Sequence, residues 1–225
     1  MGFYTSPSFF LTLAVLVVPA AALGLTGRRI KPYGMAASCA MLALLFAGDP
    51  RGLAAFAVFL AAASASAYAV WRSWVRPGGS KSLAVYRASL AATVAPLVIY
   101  KVGAVFDQNL LGFMGVSYIT FKALQVLFEV RDGVIEELGL FDYLYFLLFF
   151  PVFTSGPIDR SRRFAEDARK VRSCDEYAGL LARGILLVLV GLVYTFVVAA
   201  WLHRFYVPAT WGSGPFLTEL AAQVQ

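Results

Sequence analysis

The chain has 225 residues, 60% hydrophobic and only 14% charged, against about 25% charged in ordinary soluble domains. One buried core cannot hide that much apolar surface, so the composition excludes a soluble globular protein and calls for several segments near the ~20 residues that cross the hydrocarbon of a bilayer. Nineteen Lys and Arg against 13 Asp and Glu give a net charge of +6, but these residues flank apolar runs without interleaved aromatics. They read as topology signals with lipid as the partner and exclude a nucleic-acid surface. A single His, His203, and two distant cysteines, Cys39 and Cys174, offer neither a metal cluster nor a disulfide framework.

The first apolar run, residues 9–27, has no charged side chain before it and is followed by Arg28, Arg29 and Lys31. A cleaved leader carries its positive charge ahead of its apolar stretch. The order here predicts a retained first helix with its N-terminus outside. Further runs occupy residues 33–48, 53–71, 83–100 and 114–130. Asp49-Pro50-Arg51 makes a tight connection after the second run, whereas Arg72, Arg76, Lys81 and Arg87 make the third connection strongly basic. Positive-inside counting places the former outside and the latter in the cytoplasm, to which the fifth run returns the chain at Glu129 to Gly133.

The sixth run, residues 143–157, does not fit a simple crossing. It is 15 residues long, holds Pro151 and ends in Gly156-Pro157, and a crossing would export Arg160, Arg162, Arg163, Arg169, Lys170 and Arg172. The run reads instead as a re-entrant segment that enters and leaves on the cytoplasmic side. Irregular backbone at membrane depth needs surrounding protein or a water-filled cavity, so this segment points to a pocket or tunnel. A short kinked crossing that violates the charge rule is the alternative. Phe164, Ala168, Val171 and Ala178 then recur near helical spacing among charged residues, which predicts an amphipathic cytoplasmic segment over residues 158–176 lying on the membrane surface, or a solvated helix without lipid contact. The last run, residues 177–202, is long enough to cross outward. The expected fold is all-α: a polytopic transmembrane bundle with a re-entrant broken helix and an interfacial amphipathic helix.

No nucleophile elbow, phosphate-binding glycine loop or pair of histidines at ligand spacing occurs. His203, beside Trp201 and Phe205, suits an interfacial structural role. The fifth run carries Ser117, Tyr118, Lys122, Gln125 and Glu129, and a Lys and a Glu at that depth are costly unless they face the bundle interior, a cavity or the interface. Gln125 and Glu129 share a helix face with Lys122 a turn earlier, so they could line a hydrophilic path; snorkelling and an interhelical ion pair explain them equally well. Thr154, Ser155, Gly156, Pro157, Asp159 and Arg160 concentrate hydroxyls, a backbone break and an Asp-Arg pair where apolar sequence turns charged. They could hold a polar substrate group, or form a turn that pins one helix end.

The strings Gly115-Val116-Ser117-Tyr118-Ile119-Thr120-Phe121-Lys122, Glu129-Val130-Arg131-Asp132-Gly133, Phe149-Phe150-Pro151 and Thr154-Ser155-Gly156-Pro157-Ile158-Asp159-Arg160 resemble the membrane-bound O-acyltransferase family, in particular its teichoic-acid D-alanylation branch. The likeness is dense over residues 115–164. The resemblance implies a multi-helix membrane enzyme with a tunnel through a thin part of the bundle and no resident cofactor. It would take a D-alanyl group from the phosphopantetheine thioester of a small acidic carrier protein and pass it to a hydroxyl of teichoic acid outside the cell.

The family's catalytic histidines sit in Trp-bearing motifs with no counterpart before Gln225, so no catalytic residue is assigned here, His203 included. The whole chain, residues 1–225, therefore reads as the N-terminal part of one such transmembrane domain and is expected to be inactive alone. O-acetylation of another polysaccharide, or a non-catalytic membrane scaffold or transporter half, are the competing readings.

Overall fold

The computed structural model describes residues 7–106, 112–153, 156 and 159–202, and the described residues are helical with no strand. Eight α-helices follow in order: α1 Pro7–Leu25, α2 Lys31–Phe46, α3 Pro50–Trp74, α4 Leu83–Val105, α5 Val116–Arg131, α6 Leu140–Leu148, α7 Ser161–Arg169 and α8 Cys174–Val193. Among them α3, α4 and the helical stretch Cys174–Leu202 are long and apolar enough to cross a membrane, as an all-α membrane bundle requires. The chain packs as two compact units, Met1–Val171 and Arg172–Gln225.

In the first unit, α3, α4 and α5 pack side by side around a core of Phe59, Ala63, Ala67, Val70, Ile119 and Val126. Local chemistry sets the boundaries. Asp49 caps α3 by accepting from the Gly52 amide at 2.8 Å, and Pro50 occupies the first turn, where its missing N–H costs nothing. Gly115 precedes α5 at φ +83°, and a Cβ there would stand 2.9 Å from the Phe153 carbonyl oxygen, so only glycine fits.

The bundle has two chemically distinct ends. At one, the Trp71 indole donates to the Glu136 carbonyl at 3.0 Å, and Arg131 lies over the rings of Tyr86 and Trp74. Lys31 pairs with Asp142 at the same end. At the other end, Phe46 and Phe56 stack at 5.3 Å, and Phe113 meets Phe56 edge-on at 5.3 Å. Lys31 and Phe46 are opposite termini of α2, as Trp71 and Phe56 lie near opposite termini of α3, so a basic end and an aromatic end face away from each other.

The sixth apolar run does not form a crossing helix. Helix α6 is nine residues long, about 13 Å, less than half the hydrocarbon thickness. It stops at Leu148, and Phe149 leaves the helix at ψ 103° ahead of a 3₁₀ turn, Phe150–Val152. Pro151 accounts for the stop, because in a continuing helix its ring would collide with the carbonyl of Leu147.

The amphipathic segment also differs from its expected extent. Helix α7 ends at Arg169, and Lys170 turns extended at φ −65°, ψ 132°, so Val171 lies beyond α7 and Ala178 belongs to α8. A run of similar spacing conceals this break because Ser173 starts a new helix, accepting from the Glu176 amide at 3.3 Å. Phe164 is half-buried. It packs against Tyr145, Phe146 and Phe149 at ring separations of 5.1, 5.5 and 5.0 Å.

In the second unit, α8 has Asp175 and Glu176 in its first turn, where they complement the helix dipole. It continues through a π-helical stretch, Tyr194–Ala199, to Leu202.

Candidate functional site

The segment from α6 to α7 is a hairpin that starts and finishes at the basic end. Asp142, in the first turn of α6, accepts hydrogen bonds from Lys31 of α2 and from Arg169 in the last turn of α7. Its side chain is 13% exposed. Burial pushes the Asp142 carboxyl up, but the hydrogen bonds and charges of Lys31 and Arg169 outweigh that and hold it below the usual carboxylate range. The entry and exit of the hairpin are therefore joined by one ion pair.

From Asp142 the outward limb climbs through buried Tyr143, Phe146, Leu147 and Leu148. Phe153, 1% exposed, reaches the aromatic end, with its ring 5.6 Å from Phe56 and 6.5 Å from Phe46. Gly156, at φ +131°, lies near the start of α5, where its carbonyl accepts from the Tyr118 hydroxyl at 3.0 Å. By Ser161 the chain is back near the end of α5, with the Ser161 hydroxyl donating to Glu129 Oε2 at 2.5 Å.

Helix α5 thus holds the hairpin along one stripe. Tyr118, Lys122, Gln125 and Glu129 recur at helical spacing on one face. Lys122, 1% exposed, donates to the Phe146 carbonyl and lies over the Phe146 ring at 4.5 Å. Gln125 donates to Glu129 Oε1 at 3.1 Å, which orients that carboxylate towards Ser161. Ser117 is half-buried at the start of the same helix. Asp159 and Arg160 lie at the foot of the return limb, where Asp159 accepts from the Arg160 amide at 2.9 Å and pairs with Arg163 at 3.7 Å. The geometry joins Tyr118 to Gly156 and Gln125 to Glu129, and leaves Asp159 and Arg160 in a separate turn before α7. Thr154, Ser155 and Pro157, like His203, lie outside the described residues.

Beside the foot of the hairpin a cleft of about 350 Å³ opens at the basic end. Val126, Tyr143 and Phe146 form its apolar lining, and Glu136, Arg162 and Glu166 its charged one. The buried Tyr143 hydroxyl at this cleft and Gln125 Oε1 on the α5 stripe have no hydrogen-bond partner among the described residues, an expensive state for buried polar atoms. Among the described residues no group of three or more His, Cys, Asp or Glu could hold a metal.

Sequence reasoning did not single out Asp142, Ser161, Tyr143 or Ser38. The available signal for Asp142 was its position as the acid immediately before an apolar run that follows two glutamates, in a chain rich in arginine. Ser38, buried mid-way along α2, accepts from the Phe150 amide at 3.2 Å and left no such trace.

No family model matches the chain. It is similar to a teichoic acid D-alanyltransferase of Bacillus subtilis, 36% identical over 215 residues, covering 91% of this chain and 53% of that protein. A teichoic acid D-alanyltransferase of Lacticaseibacillus rhamnosus is 32% identical over 212 residues, covering 92% of this chain and 52% of its own length. One of Streptococcus thermophilus is 44% identical over 108 residues, 47% of this chain and 26% of that protein. The chain spans about half the length of the first two relatives.

Proposed function

Because the chain is a homologue of the teichoic acid D-alanyltransferases, we propose that it forms the front portion of a membrane acyltransferase that passes a D-alanyl group to a hydroxyl of teichoic acid or a related envelope polymer. The observation that carries this reading is the hairpin, an irregular backbone held inside the bundle by side chains of α2 and α5, which leaves a cleft at its foot.

The basic end faces the cytoplasm by the positive-inside rule, and its arginines suit a small acidic carrier protein bearing the D-alanyl group as a phosphopantetheine thioester. The cleft beside Tyr143 is the donor-side opening, and its apolar wall of Val126, Tyr143 and Phe146 takes the thioester arm while the carrier stays outside. The acceptor hydroxyl attacks the thioester carbonyl as a general base removes its proton, the carbon–sulfur bond breaks, and the proton passes from that base to the leaving thiolate. The described residues contain no histidine to serve as that base. They supply the donor-side wall of the path, with Tyr118, Lys122, Gln125 and Glu129 setting its hairpin and Ser117, Asp159 and Arg160 at its margins.

The test is deletion of the gene, with alkali-labile D-alanine and acetyl groups measured on the envelope polymers. Loss of D-alanine, restored by the intact gene, supports the reading. Loss of acetyl groups instead would identify an O-acetyltransferase, and loss of neither would leave a scaffold or transporter.

A further inference from the structure

In an uninterrupted α6 the Phe150 amide would bond to the Phe146 carbonyl four residues back. That bond is absent, and each half of it has been claimed by a different helix. The Phe150 amide donates to Ser38 of α2 at 3.2 Å, and the Phe146 carbonyl accepts from Lys122 of α5. Both side chains are shut in by protein, Ser38 at 3% exposure and Lys122 at 1%.

A buried amide and a buried carbonyl left without partners would each carry an uncompensated desolvation cost, which would favour a slipped or straightened segment. Pro151 makes the break obligatory, but it does not decide where the chain goes afterwards. That direction depends on which groups receive the two freed ends. Lys122 reaches the carbonyl from one side and Ser38 reaches the amide from the other, so the outward limb is held open between α2 and α5 with its aromatic tip at Phe153.

We propose that Lys122 is a positioning residue, the clamp that with Ser38 replaces the missing Phe150–Phe146 hydrogen bond and fixes where the hairpin tip sits. Its role is in the backbone geometry of the hairpin. It therefore holds whether or not the chain takes part in D-alanyl transfer, and its failure would leave that reading standing.

The experiment places a nitroxide at Val152→Cys in the full chain carrying Cys39→Ser and Cys174→Ser, and records its spin-label spectrum in lipid nanodiscs. Lys122→Met keeps the length and apolar stem but removes the donor. The mobile fraction at the tip rises about fivefold, as loss of one buried hydrogen bond implies, while ellipticity and elution volume stay those of the parent. Lys122→Arg, which restores a donor, returns the spectrum towards the parent. Superimposable spectra for Lys122→Met and the parent would overturn the proposal.

If Lys122→Met does not fold, reductive methylation of the unsubstituted protein decides. A clamped Lys122 reacts at least about tenfold more slowly than exposed Lys81. Equal rates at the two lysines would overturn the assignment.

Discussion

Asp142 and Arg169 form an ion pair between residues 27 positions apart, and everything between them leaves the basic end of the bundle and comes back to it. A straight crossing would separate these two side chains by the thickness of the hydrocarbon, about 30 Å. Lys31 holds the same carboxylate from α2, which ties the foot of the hairpin to the helix whose Ser38 receives its turn.

Removing this carboxylate has unequal consequences for its two partners. Lys31 is 17% exposed and would lose the counter-ion beside it, whereas Arg169 is 64% exposed and keeps access to water. Asp142→Asn lowers stability by about 3 kcal/mol, and Arg169→Ala by less than about 1 kcal/mol. Unfolding in detergent, followed by tryptophan fluorescence, distinguishes the two.

The same site gives a pH dependence. The folded carboxyl of Asp142 lies below its unfolded value, so the folded state binds fewer protons there. Its contribution is complete above the ordinary carboxylate range, near pH 4, and is lost as pH falls through the depressed folded value. The unfolding midpoint stays level between about pH 8 and pH 5 as far as this group is concerned, and drops below about pH 4. In Asp142→Asn that acid-side drop becomes shallower; an unchanged profile would show that the carboxylate is not held in this way.

Gly115 tests the other end. Its φ is positive, and a side-chain carbon there would stand 2.9 Å from the Phe153 carbonyl oxygen, which leaves no room for a methyl group. Gly115→Ala costs about 1–3 kcal/mol and loosens the contact between α5 and the hairpin tip. Gly133, also at positive φ but with nothing within 4 Å, serves as the control, since Gly133→Ala meets backbone strain alone. The difference between the two in thermal midpoint reports the contact with Phe153.

Phe164 separates packing from membrane contact. Its ring touches three aromatic residues of the outward limb, so Phe164→Ala destabilises the first unit by about 2–3 kcal/mol. A surface helix whose phenylalanine entered lipid would instead lose vesicle affinity with little change in unfolding. Measuring both on one variant decides between the roles.

The helices formed by the apolar runs, three of them long enough to cross, the break at Pro151 and the return of the chain were legible because they depend on local quantities: length of apolar run, a missing amide and the sign of flanking charge. Residues 143–157 were too short and too basic beyond their end to cross, and the ion pair between Asp142 and Arg169 follows that logic. The stripe on α5 was legible as a face but not as a function. Periodicity places Lys122, Gln125 and Glu129 together, yet it cannot reveal that Lys122 meets a carbonyl 24 residues away. Ser38 was invisible for the same reason, since its bond to Phe150 spans 112 positions and a lone serine in an apolar helix has no distinguishing pattern. The end of α7 at Arg169 was missed because the spacing of Phe164, Ala168, Val171 and Ala178 continues through a break in the backbone.

The return of the hairpin to its starting side is tested most directly by single cysteines at Glu137, Lys170 and Arg51, each introduced into the chain lacking Cys39 and Cys174. Intact cells are treated with an impermeant maleimide. Position 51, at the aromatic end, labels from outside, while positions 137 and 170 label only after the membrane is opened. Labelling of position 170 from outside with position 137 still protected would mean that the segment crosses the bilayer, and would contradict the hairpin.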